Sequence, residues 1–283
     1  MNKGITRITR SYLQRWPLPD ASAIKSKEQR GVALVIAGSR QVPGAAALAA
    51  IAAFRAGVGK LQVATVTSIA ATMGISIPEA GVIRLSEDRS GEVATGSRAL
   101  RSAAKAADAI LIGPGQKQTV ALSALVRSLS ALVGCPVVLD AGAIPPRPVS
   151  SSCPTLLTPH AGEMASLLGE DLAKINGNPI EAARYAARTF DSIVALKGPT
   201  TYIATPDGEL WSNTVHCPGL GTSGSGDVLA GIVTGLLARG AAPTQALVWG
   251  VWLHGQAGKR CASRSGPIGF LAREISAEIP GLL

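Results

Sequence analysis

Gly219-Leu220-Gly221-Thr222-Ser223-Gly224-Ser225-Gly226-Asp227 is the stretch on which the reading of this chain turns. Glycines and small hydroxyl residues crowd the run, and it ends on a carboxylate. Directly behind it Val228, Leu229, Ile232, Val233, Leu236 and Leu237 recur at helical spacing. A glycine-rich turn opening a helix exposes unpaired backbone N–H groups at the positive end of the helix dipole, which suits an anion. The missing side chains let that anion come close to the backbone. The plain alternative is a loop in which Asp227 only caps the helix.

Upstream, strands and helices alternate. Residues 31–37 form an apolar run of strand length that ends in the turn Gly38-Ser39-Arg40-Gln41-Val42-Pro43-Gly44. An alanine-rich helix over 45–56 and a strand over 60–66 complete a βαβ unit. Helix 96–107 leads to strand 109–113, and helix 120–133 to strand 136–140. Strand 155–157 precedes helix 162–168, and helix 180–190 precedes strand 193–197. A hairpin of 201–204 with 209–211 stands before the opening stretch, and helices 228–239, 244–263 and a short last one follow it. Residues 67–95 are assigned no element. Residues 1–30, polar and carrying Pro17 and Pro19, read as an N-terminal arm or an entry helix plus loop.

The pattern predicts an α/β fold, a central mainly parallel sheet with helices on both faces, over residues 31–283. In such sheets ligands bind beyond the carboxyl ends of the strands. Gly38-Ser39, Gly113-Pro114-Gly115, Asp140, Thr158-Pro159-His160 and Lys197-Gly198 all follow strands, so one edge should gather them beside Gly221–Asp227.

Composition narrows the partners. The 283 residues carry 27 Lys and Arg against 18 Asp and Glu, a net charge of +9 that favours anionic ligands. The cations are scattered and no aromatic residues interleave them, so nucleic acid is not expected. No charge-free apolar window reaches about eighteen residues, so no membrane span is expected. The basic N-terminus lacks the apolar segment of a signal peptide. Cys135, Cys153, Cys217 and Cys261 form no CxxC pair and keep no metal-like spacing to His160, His216 and His254. Reduced thiols in a cytoplasmic protein are the expectation.

Two familiar phosphate motifs fail here. Gly219-x-Gly221-x-x-Gly224 matches a dinucleotide fingerprint in form, but it follows His216-Cys217-Pro218 instead of a strand and has no acid about twenty residues on. Gly57-Val58-Gly59-Lys60 lacks the first glycine of a P-loop and is followed by Leu61. By contrast, Gly224-Ser225-Gly226-Asp227 with the apolar helix behind it resembles the anion hole of the ribokinase-like superfamily. There, glycine amides stabilise a phosphoryl group in transfer and the aspartate serves as base. Thr158-Pro159-His160-Ala161-Gly162-Glu163 stands where that superfamily keeps N-x-x-E, with His160 in place of Asn. The ordinary readings are that Glu163 favours its own helix N-terminus and that His160 is a capping or core histidine.

The segments AGSRQVPGAAALAAIAAFRAGVGK, LIGPG, VVLDAGAI, LLTPHAGEM, LKGPTTYI, GTSGSGDVLAGIVTGLLARG and GFLAREISAEIP, in this order, are similar to those of the ADP-dependent NAD(P)H-hydrate dehydratases. The resemblance covers about residues 31–283, and it departs at Cys217, at Ser223 and in the basic segment Lys25–Arg30. It implies a ribokinase-like catalytic domain that dehydrates the 6S hydrate of NADH or NADPH while ADP is cleaved to AMP and phosphate. Asp227 is then the base. Lys197, Gly198, Pro199, Thr200, Thr201 and Gly226 bind the adenine nucleotide, and Gly224, Ser225 and Gly226 form the anion hole. Ala45 or Ala46, Gly115, His160 and Asp227 contact the hydrate, and Glu163 holds Mg2+ indirectly. The resemblance also implies a homotetramer and an NAD(P)HX epimerase on a separate chain, since no second α/β unit precedes residue 31. Lys197 has an ordinary reading as strand-end charge, and Gly115 as a helix-entry turn. The alternative activity is an ATP-dependent small-molecule alcohol kinase of the same fold.

Overall fold

The computed structural model describes residues 4–20, 26–149 and 151–283. Residues 1–3 of the expected arm and Lys25 of its basic segment lie outside them. In chain order the elements are β1 (Thr6–Arg7), α1 (Arg10–Gln14), β2 (Val32–Ile36), α2 (Gly44–Arg55), β3 (Lys60–Val66) and α3 (Thr67–Ser76). Next come β4 (Gly81–Glu87), β5 (Val93–Thr95), α4 (Arg98–Ala106), β6 (Ala109–Ile112), α5 (Val120–Ser130), β7 (Val137–Leu139) and β8 (Thr155–Leu157). They are followed by α6 (Ala161–Leu168), α7 (Leu172–Gly177), α8 (Pro179–Thr189), β9 (Ile193–Leu196), β10 (Thr200–Ala204) and β11 (Leu210–Thr214). The chain closes with α9 (Ser225–Ala238), α10 (Pro243–Ser265) and α11 (Ala272–Glu278).

One 11-stranded sheet has the order β1-β11-β10-β9-β8-β7-β6-β2-β3-β4-β5. From β4 across to β9 neighbouring strands run parallel; β5 and the β10–β11 hairpin add antiparallel pairs at the two margins. The central strands are apolar without alternation because helices cover both faces. Residues 109–112 and 193–196 are buried at every position. Strand order reverses between β2 and β6, which opens the crevice in which such sheets hold ligands.

Helix α9 lies at the centre of the core and packs on α2. A side chain on Gly231 would run into the Ala49 carbonyl oxygen, and one on Gly235 would come within 2.5 Å of Ala53 O. The two helices therefore approach backbone to backbone, which explains why α2 is rich in alanine.

Three elements fall in residues 67–95, where the pattern assigned none. In β4, Ile83 and Leu85 are buried while Arg84 and Ser86 are exposed, the alternation of a strand with one wet face. The segment read as an arm or entry helix supplies β1, parallel to β11, and α1, whose Leu13 is buried. Trp211 donates to the Tyr12 hydroxyl at 2.9 Å and Trp249 donates to the Trp16 carbonyl at 2.8 Å, tying this segment to the sheet edge. Among the described residues no helix is long and apolar enough to cross a membrane, and all four cysteines are free.

Candidate active site

Helix α9 starts at Ser225, three residues earlier than the apolar pattern alone indicates. The helix therefore begins inside the glycine run. Gly224 is its N-cap with φ +87°, a left-handed conformation natural to glycine. A side chain there would also collide with Leu48 of α2. Asp227 consequently sits in the first turn and is not the cap; no side chain caps this helix. Ser225 N donates to Thr222 O at 3.3 Å, so within the first turn the amides of Gly226 and Asp227 are left for a ligand.

Around that turn the strand ends deliver charge. Lys197 follows β9, and its Nζ stands 3.0 Å from Asp140 Oδ1 and 3.8 Å from Glu163 Oε2. Asp140 follows β7 and is almost wholly buried; Thr158 donates to the same Oδ1 at 2.7 Å. A short parallel bridge between His160 and Lys197, with Lys197 N donating to Pro159 O at 2.8 Å, sets the two strand ends side by side. Nζ also lies 3.2 Å from the point a Cβ on Gly226 would occupy, so the ammonium faces the opening of α9.

These groups set one another's charge. Burial above all, then the negative Asp140, push the Asp227 carboxyl up to about 7; Lys197 opposes them and Glu163 adds to them. Burial pulls the Lys197 ammonium down, yet Asp140, Glu163 and Asp227 outweigh it and hold the pKa above its ordinary value. Three carboxylates thus share one permanent cation.

His160 is the N-cap of α6. Its Nδ1 accepts from Gly162 N at 3.0 Å and Glu163 N at 3.2 Å, while Glu163 Oε2 accepts from His160 N at 2.8 Å. Both ordinary readings of this pair are realised in one capping box. With Nδ1 accepting, the ring proton belongs on Nε2, 3.6 Å from Glu163 Oε1, and the cap holds Glu163 beside Lys197.

A cavity of about 660 Å³ opens at this edge and joins His160, Lys197, Gly198, Pro199, Thr201, Ser225 and Gly226. Thr200 does not line it; its hydroxyl pairs with that of Thr214 at 3.0 Å. Val215, Leu220, Leu229 and Val251 supply an apolar wall. Sequence reasoning missed that wall and His254 beside it, because these residues come from the segment after β11, the turn before α9, α9 and α10, and no pattern along the chain joins them.

Asp227 stands apart from the cavity lining. Its Oδ2 lies 3.8 Å from the position of a Gly224 Cβ, a point that also meets Leu48. One helical turn before Leu48 on α2 is Ala45, packed so closely on Gly115 that a Cβ there would come within 2.5 Å of its methyl group. Ser39 donates to Gly115 O at 2.8 Å, and Gly38 N donates to Pro114 O at 2.8 Å, joining the ends of β2 and β6. Ala46 is fully buried and turned toward Gly38. Asp227 therefore sits in the turn that adjoins both the charged flank at Lys197 and Leu48 of α2, the helix that carries Ala45.

The family model that matches residues 33–281 describes NAD(P)H-hydrate dehydratases. The ADP-dependent (S)-NAD(P)H-hydrate dehydratase of Xanthomonas campestris pv. campestris is 47% identical over 99% of this chain and 96% of its own length. The bifunctional NAD(P)H-hydrate repair enzyme of Moorella thermoacetica is 35% identical over 95% of this chain, which spans 52% of that relative. Among solved structures, the ADP/ATP-dependent NAD(P)H-hydrate dehydratase of Bacillus subtilis, co-crystallised with ATP and Mg2+, superposes with a TM-score of 0.87 at 31% identity. That match covers 99% of this chain and 98% of the other.

Proposed function

The chain belongs to the NAD(P)H-hydrate dehydratase family, and on that premise we propose that Asp227 and the turn before it carry the chemistry. The reaction is the ADP-dependent removal of water from the 6S hydrate NAD(P)HX, giving NAD(P)H, AMP and phosphate. The observation that supports these roles is a buried carboxylate, its pKa pushed up to about 7, in the first turn of α9, whose opening residues Ser225 and Gly226 line the cavity.

Hydroxide is a poor leaving group and phosphate a good one. Asp227 takes the proton of the C6 hydroxyl as that oxygen attacks the β-phosphorus of ADP; the bond to the bridging oxygen breaks and AMP leaves. Phosphate then departs with the C6–O electrons, and loss of a C5 proton restores the ring double bond. A base whose pKa sits near the working pH combines a populated carboxylate with real proton affinity. Of the anion-hole residues, Gly224 and Gly226 turn their amides to the phosphoryl group, Ser225 N being held by Thr222 O, and Lys197 neutralises the charge. Lys197, Gly198, Pro199, Thr200 and Thr201 hold the nucleotide, with Thr200 acting through the strand. Ala45, Ala46, Gly115 and His160 shape the hydrate side, Ala45 with its methyl against Gly115.

Mg2+ accompanies the nucleotide. The residues fit an ion shared with phosphates, because Asp140, Glu163 and Asp227 outnumber the one lysine. Among the described residues no group of three acid, histidine or cysteine side chains closes a metal cage. Glu163 is the residue that would hold it, and bound there the ion would offset phosphate charge. A separate epimerase chain is the functional partner, a homotetramer the assembly and the cytoplasm the location; light scattering reads the assembly. The deciding experiment follows NADHX absorbance with ADP for Asp227→Asn. Near-normal dehydration by that variant defeats the mechanism, and phosphorylated product with ATP alone would favour the kinase reading.

A further inference from the structure

His254 of α10 lines the same cavity and meets Ser225, the first residue of α9. Its Nε2 lies 3.0 Å from the Ser225 carbonyl oxygen and 3.0 Å from Ser225 Oγ. A carbonyl oxygen only accepts, so the nitrogen facing it must carry the proton; the other tautomer would set two lone pairs against each other. Burial above all pushes the His254 pKa down to about 4, with Lys197 adding to it and the Ser225 carbonyl pulling the other way. The ring is therefore neutral near pH 7 and has one proton to give at this nitrogen.

Two consequences follow from the peptide bond and the hydroxyl. The Ser225 C=O and the Gly226 N–H belong to one rigid plane and point in opposite directions across it. Fixing the oxygen therefore fixes the direction of the Gly226 N–H. The Ser225 hydroxyl, with its oxygen facing the imidazole N–H, keeps its own hydrogen for a ligand. Ser225 is itself almost wholly buried and lines the cavity, where a ligand can take that hydrogen.

We propose that His254 is a positioning residue: it sets the Ser225–Gly226 peptide and the Ser225 hydroxyl so that both donate to the β-phosphoryl group of ADP. The inference rests on Gly224–Asp227 being the anion hole. It adds a side-chain donor to the backbone amides and names the residue that orients them, 29 positions away in sequence.

Steady-state dehydration of NADHX with ADP by His254→Phe and His254→Gln tests it, with AMP binding measured by calorimetry on the same preparations. AMP lacks the β-phosphoryl group, so a residue acting only there leaves AMP affinity alone. The Phe variant should lose about 30- to 100-fold in kcat, since misplaced donors cost about that much, with AMP affinity changed less than about twofold. Glutamine places an amide N–H near the position of Nε2 and should recover most of the rate. Unchanged kcat in the Phe variant, a loss of AMP affinity that accounts for the whole effect, or a folded Gln variant no better than Phe would each overturn the proposal. Nitrogen-15 NMR of the unsubstituted protein needs no variant to fold: the Nε2–H tautomer of His254 is expected, and the Nδ1–H tautomer refutes it. Asp227→Asn run alongside separates the two levels. An active Asp227→Asn defeats the anion-hole reading itself, whereas an inactive one beside a normal His254→Phe defeats only the role of His254.

Discussion

The two flanks of the α9 N-terminus are built on opposite principles. On the β9 side, Lys197, Asp140 and Glu163 bring charges within 4 Å of one another beside an open cavity. On the β2–β6 side, Ala45 and Gly115 meet with hardly an atom between them, and hydrogen bonds from Gly38 N and the Ser39 hydroxyl tie the loops. One flank recognises by charge and the other by the shape that missing side chains leave. A phosphate chain needs fixed positive potential, whereas a flat uncharged ring needs walls that approach closely. Asp227 stands on the α9 turn that adjoins both Lys197 and Leu48 of α2, and burial, then the neighbouring carboxylates, raise its pKa.

Removing the group at the junction should cost most. Asp227→Asn is expected to lower kcat about a thousandfold, the usual worth of a general base, with both KM values little changed. Lys197→Met should break the charged flank alone. It is expected to raise the KM for ADP about 10- to 100-fold and leave that for the hydrate nearly alone. Because Lys197 holds the Asp227 pKa down, its loss should also move the rise of kcat with pH from about 7 to higher pH. An unmoved limb would show that another group titrates. Ala45→Leu should break the other flank, raising the hydrate KM about tenfold with the ADP KM within about twofold.

The smallest effect is one of stability. The native state holds the Asp227 proton up to about 7, while the unfolded chain gives it up near 3.8. Between those values folding takes up a proton, so this residue makes stability fall as pH rises. Asp227→Asn should therefore melt higher than the unsubstituted protein at pH 8, by about 3 °C or more, and the gain should vanish near pH 4. Equal melting temperatures at pH 8 would mean that the carboxylate is not disfavoured by its surroundings.

Much of this was legible along the chain. The apolar runs at 32–36, 109–112 and 193–196 could be read as buried strands, and the residues after them do converge on one edge. The segment 67–95 was not legible. Thr67–Ser76 buries only Ile69, Ala70 and Met73, too few to stamp a helical period on ten residues. The start of α9 was misplaced because its first turn is written in glycine and serine, which carry no periodic signal. Asp140, Thr158 and Lys197 could be placed at one edge as strand-end residues, but not their pairing, since Lys197 lies 57 residues beyond Asp140.

The sequence by itself determined the alternation of strands and helices, the glycine turn with Asp227 behind it and the family. These depend on local pattern and on motifs whose residues adjoin. Only the tertiary structure decided that Asp227 carries a raised pKa, that His160 and Glu163 form one capping box, that Thr200 faces away from the cavity and that His254 holds Ser225. Each of these depends on distance and burial between distant parts of the chain. A charge or a proton responds to what surrounds it in space, and no order of residues states that.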